Sequence, residues 1–178
     1  MSRSPWGSTG EFGIAVPFVK HRRGRFLQTY VPRMYSSYFP AVWDGYVRYG
    51  YMKDVARMSR QGSLFLMTDE AGRLLFHAHV EPLAGWTAGD AGDVPVVAAV
   101  RAAFSLPIVG CKADGSLVSA YWSWDLARAR VRPADAWTSV DARVLPRLGP
   151  QTSYDLDGGS LEVAGMPWRL SLPMPCRF

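Results

Sequence analysis

The chain has 178 residues, 48% of them hydrophobic and 13% aromatic, and a formal net charge of +5. That size fits one domain over 1–178 with enough apolar content for a core, and no apolar run is long enough to span a bilayer. The positive charge comes without a nucleic-acid reading module, and Cys111 and Cys176 have neither metal-like spacing nor the number of a disulfide framework.

Taken in chain order, the N-terminal stretch Met1 to Ser8 lacks the apolar core of a signal peptide, so a cytoplasmic protein without a membrane partner is expected. Strands are predicted at 13–19, 26–32, 41–46, 55–58, 63–68 and 74–81, from short apolar or alternating runs between turn residues. A charged hairpin tip is expected at Lys20-His21-Arg22-Arg23-Gly24-Arg25, and a short helical turn at 32–38. Gly85 to Asp93 reads as a surface loop, after which Asp93 caps a helix over 94–104 with Pro95 in its first turn. Further strands follow at 105–109, 117–124, 127–132, 139–145, 160–163 and 168–172. Arg128, Arg130 and Arg132 alternate with Ala127, Ala129 and Val131, the wet and dry faces of one strand. Turns are marked by Asp69-Glu70-Ala71-Gly72, Asp114-Gly115 and Asp157-Gly158-Gly159. So many strands with one or two short helices predict a mainly β fold, an antiparallel sheet curled or closed like a barrel.

One residue type is used sparingly. Lysine occurs three times, at Lys20, Lys53 and Lys112, leaving seventeen of the twenty basic residues as arginine. Lys53 ends an aromatic and apolar run, Gly45-Tyr46-Val47-Arg48-Tyr49-Gly50-Tyr51-Met52-Lys53. A desolvated lysine can lose its proton and attack a carbonyl, which a guanidinium cannot. Lys53 is therefore a candidate Schiff-base nucleophile.

The block from Gly45 to Asp54 resembles the lysine motif of the acetoacetate decarboxylase family, usually Gly-Arg-Glu-Leu-Tyr-Gly-Phe-Pro-Lys-Lys. Both glycines, Tyr49, an aromatic at Tyr51 and the lysine are kept, while Tyr46-Val47 replaces the Arg-Glu pair and Asp54 the second lysine. Glu11 to Phe18 is similar to the stretch that carries the family's catalytic glutamate, and Phe39-Pro40-Ala41-Val42 to the strand entering the lysine motif. Asp114-Gly115-Ser116 and Ala136-Trp137-Thr138 match later elements in order and spacing. The family's further N-terminal segment, with an arginine and an acidic residue, has no counterpart here. The resemblance implies an N-terminally shortened acetoacetate decarboxylase-like barrel with Lys53 as nucleophile and Glu11 as proton shuttle, acting without a cofactor.

Imine formation needs a neutral amine, against a pKa of about 10.4 for free lysine. On a strand Asp54 points away from Lys53, so burial among Tyr49, Tyr51, Met52 and Met58 is left to desolvate the amine. Arg48 is a candidate for a substrate carboxylate, and Tyr30, Tyr35, Tyr38, Trp43 and Tyr49 for a partly hydroxylated apolar pocket. The expected partner is a small carbonyl compound, a β-keto acid or polyketide-like molecule of secondary metabolism, and the expected assembly a homo-oligomer. The expected activity is that of a lyase, decarboxylase or aldol-type cyclase. Two alternatives stay open. One is a barrel that binds or folds an apolar molecule without covalent chemistry. The other is a cupin-like metal site, since His77, His79 and Glu81 share one strand face.

Overall fold

A computed structural model describes residues 3–4, 7–8, 10–20, 22, 26–88, 95–145, 153–166 and 168–176. Strands β1 (Arg3–Ser4) and β2 (Gly7–Ser8) pair with each other. β3 (Glu11–Val19) and β4 (Gln28–Ser36) form a long antiparallel pair, followed by helix α1 (Phe39–Tyr49) and β5 (Lys53–Val55). β6 (Arg57–Gln61), β7 (Leu64–Thr68) and β8 (Leu74–Pro82) run as a meander, and β9 (Thr87–Ala88) precedes helix α2 (Pro95–Phe104). β10 (Ile108–Cys111), β11 (Leu117–Ala120), β12 (Trp122–Trp124), β13 (Arg130–Asp141), β14 (Ser153–Ala164), β15 (Trp168–Leu170) and β16 (Met174–Pro175) complete the order.

The protein is mainly β, with two α-helices among the described residues. One six-stranded sheet has the order β16-β11-β10-β4-β3, with β5 also on β4; the other is β14-β13-β8-β7-β6, with β9 on β13. Pairing is antiparallel except where β4 meets β10 and β5. The second sheet curls into a half-barrel. Its terminal strands β6 and β14 are far apart in the order, yet Arg60 Nη2 donates to Glu162 Oε1 at 2.6 Å. Arg132 Nε, opposite Glu162 on β13, donates to the other carboxylate oxygen at 2.5 Å.

Strand β4 serves two cores because its side chains alternate. Met34 joins Val31, Tyr49, Tyr51, Ile108 and Ala120, whereas Tyr35 joins Ala56, Met67, Leu75, Val140 and Val144, with Phe12, Ile14, Phe65 and Phe76 packed alongside. The dry face expected beside the arginines is present in part: Ala129 and Val131 are buried, while Ala127 is exposed, in a short 3-10 turn ahead of the strand. No helix of the described residues is long and apolar enough to cross a membrane.

Several elements differ from their sequence reading. Residues 41–46 are helical, not a strand, and Phe39-Pro40-Ala41-Val42 opens α1 with Pro40 in its first turn. The aromatic content favoured a strand, but Gly45 and Tyr49 form a buried helical stripe, opposite exposed Phe39, Trp43, Tyr46 and Val47. The helical turn expected at 32–38 is the second half of β4. Pro32 fits there because the β3–β4 register skips at that point, and because β10 pairs residues 29–30 while β5 pairs 34–36. Its missing N–H falls between the two neighbours. Asp157-Gly158-Gly159 is not a turn but lies within β14, where all twelve residues of β13 find partners. The turns at 69–72 and 114–115 form as expected, with Gly72 and Gly115 at positive φ. Residues 139–145 leave the strand at Asp141, and 126–128 are a short 3-10 turn. Asp93, as cap, and most of the basic tip lie outside the described residues.

Candidate active site

Three adjacent strands build the site. Lys53 on β5 pairs with Met34 on β4, and Met34 pairs with Gly13 on β3; one step along, Val55, Ser36 and Glu11 follow. All six therefore share one face. Lys53 and Glu11 are diagonal neighbours across β4, and Gly13, the residue in line with Lys53, carries no side chain to separate them. Lys53 Nζ donates to Glu11 Oε1 at 2.5 Å. The lysine side chain is only 6% exposed, and the glutamate, at 32%, reaches toward solvent.

Helix α1 shapes the other side of the amine. A Cβ added at Gly45 would lie 2.9 Å from Lys53 Cδ, so the glycine leaves the space in which the lysine stem runs. The helix ends with Gly50 N–H donating to the Tyr46 carbonyl, the αL pattern, and with Tyr51 N–H donating to the Gly45 carbonyl six residues back. Gly50 supplies the left-handed turn at φ 66° and rests on β10, where a Cβ would meet the Cys111 carbonyl carbon at 2.6 Å. Tyr49 and Tyr51 stack with ring centroids 5.6 Å apart beneath this turn. Burial, and then the neighbouring Tyr49, push the Tyr51 phenol above its ordinary pKa, which keeps it protonated.

Asp54 faces away from the amine, ion-paired with Arg33. Met52 is exposed and Met58 packs on the second core, so Tyr49 and Tyr51 are the members of the expected shell that are buried in the first core.

Glu11 opens onto a cavity of about 620 Å³, lined also by Met34, Ser37, Met58, Ser59, Arg60, Phe65, Phe104, Trp122 and Trp124. Lys53 itself stands behind Glu11 and is not on the wall. Arg60 and Trp122 are the residues sequence reasoning missed: Arg60 falls between the strands expected at 55–58 and 63–68, and nothing local connects Trp122 to a site some seventy residues earlier.

The other named residues lie elsewhere. Arg48 points outward from α1 and pairs with Asp44 at 3.1 Å, with both half exposed. Tyr30 and Trp43 are exposed, Tyr35 is in the second core, and Tyr49 donates to Ser171 O at 3.3 Å; together with Tyr38, none of them lines the Glu11 cavity. His77 packs on Trp137 with centroids 4.9 Å apart, while His79 Nε2 meets Ser63 Oγ at 2.8 Å and Glu81 is exposed. Among the described residues no group of three metal-ligating side chains is assembled, which corrects the His77-His79-Glu81 alternative.

No protein-family model and no curated protein sequence matches this chain. Likeness is found in solved structures. The enduracididine biosynthesis enzyme MppR, complexed with pyruvate, superposes with a TM-score of 0.62 at 14% identity, over 94% of this chain and 66% of that one. Acetoacetate decarboxylase from Legionella pneumophila gives 0.61 at 10% identity, over 96% of this chain and 68% of that one. The chain thus spans about two thirds of the length of either structure.

Proposed function

We propose that this chain, which has the acetoacetate decarboxylase-like fold, forms an imine between Lys53 and a small carbonyl substrate and uses it to make or break a bond at the adjacent carbon. The observation that carries this reading is the buried Lys53 amine, held 2.5 Å from a Glu11 carboxylate that also faces the cavity. Glu11 takes the proton the amine must give up, turning aside to admit the substrate, and returns it to the carbonyl oxygen that leaves as water. The iminium then withdraws electrons from the next carbon. With a β-keto acid, carbon dioxide departs, the enamine is protonated through Glu11, and hydrolysis frees the amine. With a longer polyketide-like substrate the same enamine attacks a second carbonyl instead, an aldol-type ring closure. Arg60, on the cavity wall, has Nη2 on Glu162 and Nε on the Gly62 carbonyl, and its Nη1 takes the place first given to Arg48 as the partner of a substrate carboxylate.

A second reading, binding without covalent chemistry, is favoured by the placement of Lys53 behind Glu11. Borohydride trapping separates the two. The protein is incubated with pyruvate, acetoacetate and simple methyl ketones, reduced, and digested for mass spectrometry. An adduct on Lys53 that is absent from K53A is expected. Absence of an adduct with every carbonyl compound tested leaves the binding reading.

A further inference from the structure

The geometry points to a second chamber for the substrate: the cavity between α2, β12 and β14 receives an apolar arm, an aromatic ring system or unsaturated chain, attached to the reacting carbonyl. This rests on the reading of the Glu11 cavity as the substrate site. The chamber measures about 540 Å³, with Val100, Leu161, Val163 and Met166 on its walls and Arg101 and Ser105 as its polar members. It shares Phe104, Trp122 and Trp124 with the Glu11 cavity, so one aromatic wall stands between the two. The three rings pack mutually, with centroids 4.7 to 5.2 Å apart.

Each volume falls in the roughly 300–1,000 Å³ range of pockets that enclose drug-sized molecules. A keto acid of three or four carbons would leave most of this space empty, and the second chamber offers it little to hydrogen-bond. Flat aromatic surfaces beside aliphatic ones suit an unsaturated occupant, which gains offset stacking as well as burial. The Trp122 indole N–H is buried without a hydrogen-bond partner among the described residues, so a turn of that ring to join the two chambers would cost packing but no hydrogen bond.

The test compares butanone with 4-(2-naphthyl)butan-2-one, which has the same methyl ketone head plus an arm, and uses 4-(2-naphthyl)butan-2-ol as a carbonyl-free control. Tryptophan quenching and calorimetry should show the alcohol binding to the wild type and to K53A alike, and at least tenfold more weakly to V163W, which fills the chamber. Borohydride should trap the naphthyl ketone on Lys53 at a concentration at least tenfold lower than butanone, an advantage V163W removes while leaving butanone trapping unchanged. L161F, checked by circular dichroism, serves if V163W does not fold. No binding of the alcohol, binding indifferent to the filled chamber, or equal trapping of the two ketones overturns the inference. Trapping of neither ketone, with the alcohol still bound and still blocked by V163W, overturns the imine reading alone and leaves the chamber standing.

Discussion

Gly45 shows how one hydrogen atom in place of a methyl group positions a functional amine. In a helix interior, glycine to alanine ordinarily stabilises by about 1 kcal/mol. Here the added methyl meets Lys53 Cδ, and the lysine stem must move away from its contact with Glu11. G45A should therefore unfold at a midpoint equal to or above wild type in urea, while adduct formation at Lys53 falls at least tenfold. A loss of stability in step with the loss of trapping would mean that the glycine serves the helix and not the lysine. At the other end of the pair, E11Q keeps the shape but cannot accept a proton. Single-turnover trapping should slow by about 10²–10⁴-fold, the usual worth of a general acid–base group, with substrate affinity little changed. Of these residues Lys53 was legible alone, because a chain that writes arginine elsewhere spends a lysine among aromatics. Glu11 was legible only through its family resemblance; its closeness to Lys53 depends on the β3–β4–β5 register, a long-range property. Arg60 and Trp122 had no local signal at all.

The α1–β5 unit is where sequence pattern and structure part most clearly. A helix with aromatics on its outer face as well as its inner one hides its 3.6-residue period, and its composition then favours a strand. Its C-terminal glycine, Gly50, was visible as a motif residue, but the docking it permits was not. Gly50 lies against the Cys111–Lys112 backbone, and Gly110 lies so close that a Cβ there would be 2.0 Å from Tyr49 O. These two contacts seat the helix end on β10 and so aim the chain into Lys53. G50A combines a left-handed φ, worth about 1–2 kcal/mol for an L-residue, with a backbone clash. Its stability in urea should drop by about 2–4 kcal/mol. An equal loss is expected for G110A, whereas G62A, with open space around it, should lose only the cost of its positive φ.

Across the whole molecule, the Arg60–Glu162–Arg132 group clasps a sheet whose end strands have no backbone bonds to each other. Burial opposes the ionised form of Glu162, but hydrogen bonds and charge from both arginines outweigh it and hold the carboxyl below the usual glutamate range. A carboxyl depressed in the folded state contributes stability that is fully present above its unfolded pKa, about 4.3, and that is lost as pH falls through its folded value. Melting temperature should therefore fall below about pH 4.3 in the wild type. E162Q, already without the charge, should show a flatter acid limb from a lower starting point; parallel limbs would place the acid sensitivity elsewhere. The mainly β, curled architecture was readable from alternation and turn spacing. The curl's depth was not, since it depends on side chains at 60 and 162 meeting, a hundred residues apart in sequence.

β3 ends its sheet, bonded to β4 alone among the described strands, and it carries Glu11 at its first residue. Fraying at this margin detaches the acid, and Phe12 and Ile14 with it, while the buried members of both cores remain packed. Heat should then silence the protein reversibly some degrees before it melts, and the amides of residues 11 to 14 should exchange with deuterium well ahead of those in β4.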